Sequence, residues 1–146
     1  MNNPKRILGI DIGERRTGAA ITDLTGTIAG GLEVIKEGGF NNCAFKVIAL
    51  AEKHDVCEIV LGYPVNMNGS KGPKAKEAEQ FKKKLEELIK EKKLEIGVVL
   101  FDERLSTSLA HVYMNETGIK SKDRKQKIDM LSAQIILQNY IDSKRK

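Results

Sequence analysis

The chain is poor in several residue types, and each shortage excludes something. Its 146 residues include no Trp, three Pro, two His and two Cys, and only 5% are aromatic. No apolar run approaches the ~18 residues of a membrane-spanning helix, so no contact with the bilayer interior is expected. The opening residues are polar and basic and lead straight into an apolar run, with no signal-peptide pattern. Cys43 and Cys57 belong to no Cys-x-x-Cys pair and have no His cluster near them in sequence, which indicates neither a zinc site nor a disulfide framework. They read as buried thiols in a reducing compartment, and a cytoplasmic protein is expected. His54 and His111 stand at unremarkable positions and receive no role. There is no internal repeat, linker or low-complexity segment, so residues 1–146 are expected to form a single domain.

What is present is an ordinary globular composition, 40% hydrophobic and 31% charged, with 25 Lys and Arg against 20 Asp and Glu. The resulting charge of +5 points weakly to an anionic partner, nucleic acid being the commonest. The stretch at 7–23 stands out. An apolar run, Ile7 to Ile10, is followed directly by a carboxylate, Asp11, and apolar residues resume at Ile12. A carboxylate among core strand positions is costly unless paired, hydrogen-bonded or metal-bound. Gly13 and Gly18 flank the intervening turn and leave room for close approach.

Residues 5–12, 16–23 and 27–36 are expected to form an antiparallel meander, with Gly30 and Gly31 marking a bulge. From Asn41 the period becomes helical, with Asn41 or Asn42 as N-cap and Ala44, Val47, Ile48 and Ala51 inward. A short strand ends at Gly62, and 63–73 is a loop by every turn criterion. A helix over 74–93, a strand over 95–101, a helix capped by Ser106 or Thr107 and a last helix over 125–143 complete the chain. The order β-β-β-α-β-α-β-α-α predicts an α/β fold with a mixed five-stranded sheet, three strands antiparallel and two parallel, and helices on both faces.

Ligands of open α/β sheets bind beyond the carboxyl ends of the parallel strands. Asp11, the loop after Gly62 and the pair Asp102 and Glu103 all converge there. Asp129 joins them from the last helix, one position from the main apolar stripe of Ile128, Leu131, Ile135 and Gln138. It heads a neighbouring stripe of Ser132, Ala133, Ile136 and Tyr140, whose small residues would let the helix approach the sheet closely. Each acid has an ordinary structural reading, as a strand end, a helix flank or a solvated residue. Their joint placement favours another, because two carboxylates ~4 Å apart repel by about 4 kcal/mol at an effective dielectric near 20. A hard cation such as Mg²⁺ or Mn²⁺ offsets that repulsion, and a pair of them suits phosphodiester hydrolysis. Asn66, Ser70 and Lys71 beside a helix N-terminus form a candidate anion site, and Arg16 and Arg104 are candidate phosphate contacts. The basic run at 120–127 reads either as a solvated face or as a hold on a polyanion.

These motifs resemble the YqgF-type family, the Holliday-junction-resolvase-like nucleases proposed for precursors of small-subunit ribosomal RNA. The matching pieces are Gly9-Ile-Asp-Ile-Gly13 with Arg16-Thr-Gly-Ala-Ala20, then Val60-Leu-Gly-Tyr-Pro64 with Asn66, Asn68 and Gly72. They continue with Asp102-Glu-Arg-Leu-Ser-Thr107 and with Asp129, Ser132, Ala133 and Gln138. The match spans 5–142, and four motifs occur in order. Tyr63 and Ser132 depart from the pattern, an aliphatic residue and Ala being common there. The resemblance implies an RNase H-like fold and divalent-metal phosphodiester cleavage by an acidic triad of Asp11, Glu103 and Asp129. It also implies a role in maturing the 5′ end of pre-16S rRNA, with branched DNA the substrate suggested for some relatives. A homodimer would suit the cutting of two symmetric strands. Two rival classes are a non-catalytic nucleic-acid module and a sugar-kinase or actin-like ATPase. The ATPase needs two such lobes to clamp its nucleotide, and this chain has length for one.

Overall fold

The computed structural model describes residues 6–13, 16–36, 39–66, 68–102 and 121–144, with side chains of the last helix described from residue 128. The elements are β1 (Arg6–Asp11), β2 (Thr17–Thr22), β3 (Ala29–Ile35), α1 (Phe40–Lys53), β4 (Val56–Tyr63), α2 (Pro73–Glu91), β5 (Gly97–Asp102) and α3 (Ser121–Lys144). They build one five-stranded sheet in the order β3-β2-β1-β4-β5. β1 pairs antiparallel with β2, and β2 with β3, while β4 runs parallel to both β1 and β5. The mixed sheet is the one expected. The helix anticipated after Ser106 falls outside the described residues.

Period-two alternation divides the strands between two cores. Leu8 and Ile10 of β1, with Ile59 and Leu61 of β4, face α1 and α2, where Val47, Ile48, Phe81 and Leu85 complete a buried cluster. Ile7, Val60, Val99 and Phe101 face the other way, onto Ala133, Ile136, Leu137 and Tyr140 of α3. Each fully buried Leu, Ile or Phe contributes about 1.5–3 kcal/mol relative to exposure. Among the described residues, helices therefore cover both faces, α1 and α2 on one side and α3 on the other.

Local sequence explains the element ends. Pro73 occupies the start of α2, where its missing N–H costs nothing. The bulge expected at Gly30 and Gly31 is present: Ala19 pairs with Glu33 and Ala20 with Gly31, leaving Leu32 as the extra residue of β3. The β2–β3 turn is tied by one carboxylate. Asp23 accepts from the Thr25 hydroxyl at 2.7 Å and from the backbone N–H groups of Thr27 at 2.9 Å and Ile28 at 3.2 Å. Gly26 takes the positive φ of 74° at the turn.

Four expectations need correction. The N-cap of α1 is Gly39, which has no side chain with which to cap, rather than Asn41 or Asn42. α3 begins at Ser121, four residues before the expected start. Cys43 is buried, donating to the Thr17 hydroxyl at 3.4 Å, but Cys57 is exposed on β4. The sheet-facing stripe of α3 is not Ile128, Leu131 and Ile135, which are half-buried, but Ala133, Ile136, Leu137, Tyr140 and Ile141. The reason is close approach. Ala133 and Leu137 lie over Gly9, where an added Cβ would stand 2.8 Å from the Leu137 Cβ, and contact that tight fixes the rotation of the helix. Gln138 pins the same helix to the sheet edge, accepting from the Ala29 N–H at 2.9 Å and donating to the Thr27 carbonyl at 3.2 Å.

The Asp23 turn generates a pH prediction. Hydrogen bonds from Thr25 first, then from the Thr27 and Ile28 backbone, hold its carboxyl at about 2 instead of the usual 3.8. A depressed folded value means the contribution is full above about pH 4 and is lost as pH falls toward 2. Urea unfolding at pH 5, 3 and 2 is expected to show a fall in stability that is smaller in Asp23→Asn than in the unsubstituted protein.

Candidate active site

The site is built where β1, β2 and α3 meet. Asp11 is the last residue of β1 and pairs with Gly18 of β2. Residues paired across antiparallel strands point to the same face, so Asp11 and Gly18 share the face that Gly9 presents to α3. On that face Gly18 lies directly against the helix: an added Cβ would stand 2.1 Å from the carbonyl oxygen of Asp129. The Asp129 backbone is thus seated on the strand position opposite Asp11, one strand spacing of ~5 Å away. No other residue type leaves that room.

Asp129 heads the helical positions 129, 133, 136 and 140, of which the last three are buried against the sheet. Its carboxylate accepts a charge-assisted hydrogen bond from Nε of Arg16 at 2.7 Å, with the two side chains 26% and 34% exposed. That exposure leaves the pair open to an incoming ligand. Arg16 precedes β2, so the β1–β2 turn carries the guanidinium toward the helix. Within that turn the carbonyl of Arg16 packs on Gly13, where an added Cβ would lie 2.2 Å from it. Arg16 and Asp129 are thus in direct contact, and Asp11 ends the strand paired with the glycine beneath Asp129.

Glu103 and Arg104 lie outside the described residues. Asp102, which precedes them, is half-buried at the end of β5 and pairs with Tyr63. Alternation puts Asp102 on the face of Val98 and Leu100, opposite the α3 face that carries Asp11.

A second part of the site borders the carboxyl ends of β1 and β4. A cleft of about 390 Å³ lies among Ile12, Gly13, Gly62, Pro64, Pro73 and Lys74, below the start of α2. The Asn66 and Ser70 expected there are tied within their own loop. Asn66 donates to the Ser70 hydroxyl at 3.0 Å, and Asn68 accepts from the Ser70 hydroxyl at 2.7 Å and from its N–H at 3.0 Å. Gly69 supports the turn with φ of 87° and an N–H bond to the Asn66 carbonyl. Lys71 stands 3.6 Å from the Glu79 carboxylate of α2 and 5.8 Å from the centre of the Tyr63 ring. The Tyr63 hydroxyl donates to the same Glu79 oxygen. Tyr63 and Glu79 were not anticipated as a pair, since sixteen residues separate them and no periodic pattern joins them.

A family model described as RuvX, Holliday junction resolvase, matches residues 5–143. The chain belongs to this family. A relative from Ruminiclostridium cellulolyticum is 43% identical over 138 residues, 94% of each chain, and one from Bacillus thuringiensis is 41% identical over 145 residues, 95% of this chain and 99% of its own. Both are named as candidate pre-16S rRNA nucleases. Among solved structures, Thermus thermophilus RuvC in complex with a Holliday junction substrate superposes with a TM-score of 0.58 at 13% identity, covering 95% of this chain and 96% of its own. The yeast mitochondrial Holliday junction resolvase gives 0.58 at 14% identity, covering 97% and 79%. The RNase H-like architecture implied by the resemblance is thus the fold of this RuvX-family chain, and RuvC shares it.

The Gly18 contact makes the site dependent on one missing methyl group. Gly18→Ala is expected to push α3 away from β2, lowering unfolding stability by about 1–3 kcal/mol in urea titration. Gly30→Ala, where an added Cβ meets nothing within 4 Å, should have a smaller effect.

Proposed function

We propose that this chain is a divalent-metal-dependent nuclease that hydrolyses phosphodiester bonds in structured nucleic acid, with residues 1–146 acting as one domain. The observation that supports the reading is the seating of the Asp129 backbone on Gly18, the residue paired with Asp11, so that two acidic residues from distant parts of the chain come to one end of the sheet. In the proposal Glu103 is the third acid. Asp11 and Asp129 are half-buried hard oxygen donors, the class that Mg²⁺ and Mn²⁺ take, so the donor set fits such a cation. Among the described residues no group of three or more His, Cys, Asp or Glu is placed to hold a metal, and Glu103 lies outside them.

Asp11, Glu103 and Asp129 would hold the cation, which when bound supplies Lewis acidity at the phosphodiester and a more acidic water. Arg16, through N–H groups other than the one on Asp129, would hold a phosphate oxygen and keep Asp129 oriented. Asn66, Ser70 and Lys71, in the loop after β4, would bind the nucleic-acid backbone, with Arg104 a further phosphate contact, and such fixed contacts set the register of the strand to be cut.

The names of the relatives support processing of pre-16S rRNA as the role, and the motif resemblance adds its 5′ end as the place of cutting. A second reading, cleavage of branched DNA, is favoured by the family description and by the resolvase folds. A homodimer would suit that second substrate. No described helix is long and apolar enough to cross a membrane.

Incubating the protein with a ribosomal RNA precursor and with a four-way DNA junction, each with and without Mn²⁺, separates the readings. Metal-dependent cleavage of the precursor is expected, and Asp11→Asn should reduce it at least about 100-fold, roughly 2.7 kcal/mol of barrier, with the thermal midpoint little changed. Cleavage by Asp11→Asn at the unsubstituted rate overturns the assignment. Metal-independent binding of both nucleic acids without any cleavage would make the chain a binding module instead.

A further inference from the structure

The cluster of Tyr63, Lys71 and Glu79 has a chemistry that the acid site does not use. Lys71 belongs to the loop between Pro64 and Pro73, both of which line the cleft, and its side chain is 56% exposed. It is nevertheless held from two sides, by the Glu79 carboxylate at 3.6 Å and by the face of the Tyr63 ring at 5.8 Å. Glu79 is in turn held by the Tyr63 hydroxyl, which donates to Oε2, the oxygen that faces Lys71. One carboxylate oxygen thus takes a hydroxyl and an ammonium together, as a phosphate oxygen can.

Tyr63 is well placed for this. It ends β4, pairs with Asp102 at the end of β5 and follows Gly62 of the cleft wall, so the cluster is fixed to the same strand ends as the site. The hydrogen bond from Tyr63 keeps Glu79 ionised, its carboxyl lying below the usual range, while donation to Glu79 raises the Tyr63 phenol. Glu79 is also 39% exposed, so an anion arriving from solvent can reach Lys71 without unfolding α2.

We propose that Glu79 is a stand-in anion, occupying at Lys71 the place of a substrate phosphate, and that Tyr63 is the positioning residue that keeps it there until nucleic acid displaces it. The proposal rests on the nuclease reading only in that the anion is a nucleic-acid phosphate. Its consequence is a screen on binding. A nucleic acid that delivers a phosphate to Lys71 recovers the ion pair it breaks, and one that does not gains nothing at this position. Lys71 thereby contributes to discrimination between nucleic acids of different shape as well as to affinity.

A double-mutant cycle tests this, read as the affinity of a fluorescein-labelled four-way DNA junction and of a labelled RNA hairpin by anisotropy in EDTA, where no cleavage intervenes. Glu79→Gln is expected to tighten binding of at least one of them roughly two- to fivefold, the range of an exposed ion pair. Lys71→Gln should weaken it, and in the Lys71→Gln background Glu79→Gln should give less than half of its gain, on a logarithmic scale. Loss of a negative charge near a polyanion would by itself tighten binding equally in both backgrounds, so equal gains overturn the proposal. So does the absence of any gain in Glu79→Gln, with folding checked by its circular dichroism. If the coupling holds but the protein cuts nothing with Mn²⁺, the nuclease reading fails and this one stands. If cleavage is seen and the gains are equal, the reverse is true.

Discussion

The close approach of α3 to the strands β1 and β2 governs the rest of the structure. Glycine at two positions of the sheet makes it possible. Gly9 admits Leu137 and Gly18 admits the Asp129 carbonyl, each at a distance no Cβ would tolerate, and the Ala133 carbonyl packs tightly on Gly9 as well. Both contacts lie on one face of the sheet, so they set the distance and the rotation of the helix together. Because the helix is rigid, fixing it over the hydrophobic cluster of Phe101, Ile136 and Tyr140 also fixes Asp129 at the sheet's other end. The core and the acid site are two consequences of the same contact.

This arrangement explains why a carboxylate is tolerated at Asp11. It stands half-buried at the strand end, where the apolar α3 face gives way to Asp129 and its partner Arg16. Partial exposure reduces the cost that a fully buried acid would carry. The other side of the cleft repeats the logic with Lys71 between Tyr63 and Glu79. In both places a cation near the cleft is held by a carboxylate that solvent can reach, an arrangement suited to exchanging one anion for another.

The strands, their order and the split between two helical faces were legible in the sequence because each is a matter of local periodicity and short connections. The apolar run from Ile7 to Ile10 with Asp11 behind it, the bulge beside Gly30 and Gly31, and the glycines around the β1–β2 turn are all features of neighbouring residues. The face of α3 was legible only in part. The sequence offers two adjoining stripes, one through Ile128, Leu131 and Ile135 and one through Asp129, Ala133, Ile136 and Tyr140, and hydropathy favours the first. The helix seats the second, with Leu137 and Ile141, because Gly9 and Gly18 of the neighbouring strands β1 and β2 leave depth for it. Cys57 was misread for a similar reason, since its strand is apolar but its own position opens to solvent.

By itself, then, the amino-acid sequence determined the fold class, the family and the residue types available for chemistry, since these follow from pattern and from motif order. Only the tertiary structure decided which residues face one another. Asp129 meets Arg16 across 113 positions of chain, and Tyr63 meets Glu79 across sixteen. Neither separation matches a helical or strand period, so no local rule relates the partners. Their meeting depends on the packing of rigid elements, and that packing turns here on where a side chain is absent.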